Sequence, residues 1–134
     1  MSTITMTDQD KATLRTAAYG AVSLLAAVGA KPHRIATAGT IALSSATGTV
    51  GHVLAAAKSK DIKLVGKSVA ELADHVLPAL TTAMTLLKQQ DPAEAENFRN
   101  TVLLATEAAK NPQAQPNPTL AEMTRKITAA LDAA

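Results

Sequence analysis

Between Arg34 and Lys58 the chain runs for 23 residues, IATAGTIALSSATGTVGHVLAAA, without an Asp, Glu, Lys or Arg. A stretch of this kind suits three settings: a membrane span, a glycine-rich phosphate loop, or a helix covered by other helices. Roughly 20 residues cross a bilayer core, so its length permits the first. Its composition argues against it. Ser44, Ser45, Gly48, Gly51, His52 and four threonines dilute the apolar residues. No Trp or Tyr stands at either end as an interfacial anchor.

The phosphate loop fares no better. Gly39, Gly48 and Gly51 are wrongly spaced for G-x-G-x-x-G. Further on, Asp61-IKLV-Gly66-Lys67-Ser68 matches the second half of a Walker A motif, but Asp61 stands where its first glycine belongs. A carboxylate there repels phosphate. Ser68 is better read as a helix cap and Gly66 as a turn residue.

A covered helix is left. On a helix over 35–57, Ile35, Gly39, Ala42, Leu43, Ala46, Val50, Val53, Leu54 and Ala57 share one face. Thr37, Thr40, Ser44, Thr47, Gly48 and Gly51 occupy the other, and Ile41 sits alone off the stripe. A solvated helix face normally carries Lys and Glu. An uncharged one implies cover on both sides. The sequence therefore predicts a central second helix about 35 Å long. Gly48 and Gly51 each weaken it by about 1 kcal/mol relative to alanine, so a break near Gly48 is the competing reading. Thr40, Gly48 and Gly51 are the candidate contact for a second copy of the chain, which predicts a homodimer. An unknown protein partner is the other occupant considered for that face.

The rest of the chain is helical by the same test. Thr7-Asp8-Gln9-Asp10 offers caps and negative charge for a helix over 9–28, with residues 1–7 frayed before it. Leu14, Ala18, Ala21, Leu25 and Val28 form its stripe, and Gly29 and Pro32 end it. Residues 58–67 read as a loop, with a short extended piece at 62–65. Ser68-Val69-Ala70-Glu71 is a capping box for a third helix over 69–89. Its stripe keeps phase across Pro78, which predicts one helix kinked there. Asp91 as cap and Pro92 at the first helical position start a fourth. Phe98 and Val102 lie on its stripe, and Asn111-Pro112 ends it. Residues 111–118 read as a proline-rich linker, and Thr119-Leu120-Ala121-Glu122 as a capping box for the fifth.

The 134 residues are the length of one domain. Tyr19 and Phe98 are the only aromatics, and the 47% apolar content is mainly Ala, Leu, Val and Ile. Such segments favour helix. The expected fold is an all-α compact bundle of about five helices. Leu25, Leu43, Val50, Leu80, Phe98 and Val102 are its expected core. With no cysteine and no signal-peptide pattern, a cytoplasmic location is expected.

No catalytic centre assembles from the sequence, so an enzyme is the less favoured class. Ser44 and Ser45 could be placed near His52, but neither serine has the flanking glycines of a nucleophile elbow. The alternative function is a small-molecule pocket or active site near Ser44, Thr47 and His52. Zinc and iron sites need three or four ligands, and the di-iron pattern of helical bundles needs two Glu-x-x-His repeats. Glu71 and His75 make a single pair at a different spacing. No metal or cofactor is expected. Lys58, Lys60, Lys63 and Lys67 form a basic run suited to an anion. It has no Arg for bidentate contacts and no aromatic for base stacking. A net charge of +2 is also small for a nucleic-acid binder. The leading expectation is a protein-interaction or scaffolding module.

Overall fold

The structure is a computed structural model, and it describes residues 6–29, 31–55, 68–110 and 117–134. Six helices account for most of these: α1 (Asp8–Val28), α2 (Pro32–Ser44), α3 (Gly48–Ala55), α4 (Val69–Gln90), α5 (Pro92–Ala109) and α6 (Pro118–Asp132). Among the described residues there is no strand.

The helix starts follow local chemistry. Thr7 and Asp10 form a reciprocal capping box at α1. The Ser68 hydroxyl accepts from the Glu71 amide and caps α4. Asp91 caps α5, with Pro92 at its first position. At α6 the cap is Asn117, not Thr119, and Pro118 is the first helical residue. The proline that reads as linker therefore opens the helix, because its fixed φ suits that position. The expected linker otherwise lies outside the described residues, as do residues 58–67, expected as a loop, and 1–5 of the expected frayed 1–7; Thr7 is not frayed, because its capping box orders it.

α4 is one helix through Pro78, which is exposed. The long second helix is two. It begins at Pro32, three residues earlier than expected, and stops at Ser44. The chain then turns over 45–47 before α3. Gly48 carries the turn with φ +73°, a conformation open mainly to glycine. Gly51 packs so tightly under the turn that a Cβ there would lie 2.2 Å from the Ala46 carbonyl oxygen. The Ser45 hydroxyl donates to the Ala42 carbonyl at 2.7 Å and closes the end of α2.

α1, α2, α5 and α4 pack in a ring in that order, with α3 and α6 added at its sides. The centre belongs to α1 and α5, each of which touches all five other helices. The expectation of a central second helix is corrected here. α2 packs on α1 and α5, and its other side faces solvent. Small residues on α1 explain why α1 takes that place. Ala17, Ala18, Gly20 and Ala21 are buried and let neighbouring axes approach. All six expected core residues are buried, and Phe98 is fully so. Each fully buried Leu or Phe of this kind contributes about 1.5–3 kcal/mol.

Long-range polar contacts tie the helix ends together. Asn117 caps α6 with its oxygen and donates from Nδ2 to the Val28 carbonyl at the end of α1. Arg99 pairs with Asp132 at 2.9 Å, joining α5 to α6. Thr81 donates to the Ala130 carbonyl at 2.7 Å, joining α4 to α6.

Candidate interaction surface

The break after Ser44 creates a short helix that its own eight residues do not hold in place. Side chains from α1 and α5 hold it at both ends. At its N-terminus, the Thr49 and Val50 amides donate to Glu94 Oε1, at 2.6 and 3.4 Å. A carboxylate suits those orphan amides and the positive end of the helix dipole. Asn97 Nδ2 steadies the arrangement, donating to Glu94 Oε2 at 3.2 Å and to the Thr47 carbonyl at 2.7 Å. At the C-terminus, Arg15 Nε donates to the Val53 carbonyl and the Tyr19 hydroxyl to the Leu54 carbonyl, both at 3.0 Å. Burial pushes the Tyr19 phenol above its ordinary value, and nearby Arg15 pulls it partly back. The phenol thus stays a hydrogen-bond donor at neutral pH.

These contacts also fix how α5 lies on α2. The first turns of α5 meet the α2–α3 junction, and α5 then packs along α2. The two helices are therefore antiparallel. Ile41 is six residues before Thr47, and Leu104 is seven after Asn97. At 1.5 Å per residue they sit about 9 and 10 Å from the junction, so they are nearly level. Both are exposed, Ile41 at 64% and Leu104 at 50%. Thr37, Thr40 and Ser44 on α2 are exposed as well. Among the described residues, the α2 part of the face that lacks charge in the sequence is thus left exposed.

The other residues singled out in the sequence fall as follows. Ser44, Thr47 and His52 are all exposed, and none lines any of four shallow grooves found among the described residues. Thr40 lines the edge of an apolar groove of ≈ 480 Å³ between α1 and α2, beside Tyr19 and Ala36. Gly48 is exposed, but a Cβ there would come within 2.7 Å of Glu94 Oε1. Gly51 is buried within its own chain. Both glycines are accounted for by the turn, so substitutions at them do not probe a surface. Lys58, Lys60, Lys63 and Lys67 lie outside the described residues. Glu71 and His75 are exposed, and among the described residues no three acidic or histidine side chains gather as a metal site. Among those residues, too, no helix is long and apolar enough to cross a membrane.

Sequence reasoning missed Arg15, Tyr19, Glu94 and Asn97. Glu94 reads in the sequence as an ordinary first-turn acid of α5. Nothing local announces that it caps another helix 45 residues away. Leu104, beside the buried stripe of α5, is exposed. Comparison with protein-family models, curated proteins and solved structures returned no match to this chain.

Proposed function

We propose that this chain is a protein-interaction module that associates with itself, the exposed face of α2 and the adjoining edge of α5 forming the contact. One observation carries the reading: Ile41 and Leu104, both large and exposed, lie level on neighbouring helices, with the exposed Thr37, Thr40 and Ser44 of α2 beside them. Interfaces have this anatomy, an apolar centre within a polar rim. Single exposed apolar residues are ordinary, whereas two at one level on neighbouring helices, with hydroxyl side chains beside them, suit a contact. Hydroxyls and small side chains let a second helix approach closely. A two-fold dimer presents the same patch from both sides, so one such face suffices.

The experiment is sedimentation equilibrium on the wild type and on Ile41→Arg at matched concentration. The wild type should run at twice the chain mass. Because Ile41 is exposed, the variant should keep its helical circular dichroism and run at the chain mass. A monomeric wild type overturns the reading, and a dimer that tolerates Ile41→Arg overturns the assigned surface.

A further inference from the structure

The α2/α5 face carries opposite charge at its two ends. At the end where α2 starts, Lys31, His33 and Arg34 are exposed. The Glu107–Lys110 pair at the same end of α5 is internally neutral. At the other end, Glu94 reaches the α2–α3 junction from the start of α5, and Glu96, two residues further on, is exposed. No acidic residue of α2 or α3 lies between. Arg99 lies near Glu96 but is hydrogen-bonded to Asp132, on the side of α5 facing α6. Ile41 is close to the midpoint. It is about 10 Å along α2 from Arg34 and about 9 Å from the junction.

From this layout we infer that the partner is a second copy docked antiparallel, α2 against α2, about a two-fold axis at the level of Ile41. The inference rests on the self-association reading above. An axis there places the basic end of each copy against the acidic start of α5 in the other, twice per dimer. Ile41 meets its own counterpart at the centre. The parallel alternative stacks Arg34 on Arg34 and leaves the acidic start of α5 without a basic partner, and like charges so placed are unfavourable. Antiparallel pairing also sets the two α2 dipoles head to tail.

Charge reversal tests the orientation apart from the association itself. Arg34→Glu and Glu96→Lys each change one exposed side chain, so both should keep the wild-type helical circular dichroism. Each alone should weaken the dimer on the order of tenfold in sedimentation equilibrium at low salt. An equimolar mixture of the two should recover the wild-type dissociation constant to within roughly threefold, and so should the double variant on one chain, since opposite charges then face each other in both cases. Single variants as tightly dimeric as the wild type overturn the antiparallel pairing and leave the self-association reading standing. Weakened singles with no recovery in the mixture or the double variant do the same. A wild type that is monomeric at every concentration removes the reading beneath it.

Discussion

Glu94 does two jobs in sequence terms that only one structure reconciles: it opens α5 and it caps α3. Replacing it with alanine leaves the Thr49 and Val50 amides without their acceptor. Loss of a cap costs about 1–2 kcal/mol. Chemical denaturation of Glu94→Ala should show that loss, with amide exchange rising first at Thr49 and Val50. An unchanged midpoint would mean that burial of Val50, Val53 and Leu54 alone holds α3 down. Tyr19 holds the opposite end of the same helix, and it is the only tyrosine in a chain without tryptophan. Its ultraviolet titration therefore reports one site. The midpoint should lie above the ordinary phenol value because burial disfavours the phenolate. The sign follows from linkage: a raised folded value means stability that is complete below the unfolded phenol value. It is lost as pH rises through the folded one. Tyr19→Phe should remove that alkaline loss. These contacts were illegible beforehand because each joins residues at least 35 positions apart through one side chain. The local caps at Thr7, Ser68 and Asp91 were legible because both partners lie within a few residues.

Helices show the same divide between local and distant causes. The apolar stripes predicted α1, α4 and α5 with small shifts at their ends, since a period of 3.6 residues is written along the chain. The uncharged stretch after Arg34 was harder. Its stripe stays in phase over 35–57, and Ile35, Ala42, Leu43, Val50, Val53 and Leu54 are indeed buried. Periodicity does not register a three-residue turn that restores the phase. Only Gly48, with its positive φ, marked the break. Pro78 is the converse case, a residue that breaks helices elsewhere and is carried inside one here. It has no amide to give the Asp74 carbonyl, and it sits on the exposed side of α4. Proline disfavours a helix interior by about 3 kcal/mol relative to alanine, partly offset by the less flexible unfolded chain. Pro78→Ala should therefore raise stability by about 1 kcal/mol or more in thermal or denaturant unfolding. A loss instead would mean that α4 must bend at this residue to pack on α1 and α5.

At the scale of the whole molecule, the expectation that both faces of the charge-free segment are covered meets described residues that cover only one. α1 and α5 occupy the centre, and α2 is left with Thr37, Thr40, Ile41 and Ser44 facing out. The absence of charge there was legible in the sequence. Which element would cover it was not, because that depends on how six helices share one core. The account takes a second copy as the cover, and the lack of cysteine gives a direct way to look. A disulfide forms readily only between Cα atoms about 4.4–6.8 Å apart, and a residue on a two-fold axis meets its own counterpart. Ile41→Cys, oxidised mildly in dilute solution, should become a covalent dimer within minutes, at a rate that does not fall in proportion to concentration. Ala121→Cys, exposed on α6 away from this face, should stay monomeric under the same conditions. If the two variants cross-link equally slowly, each in proportion to concentration, the exposed face of α2 is not where two copies meet.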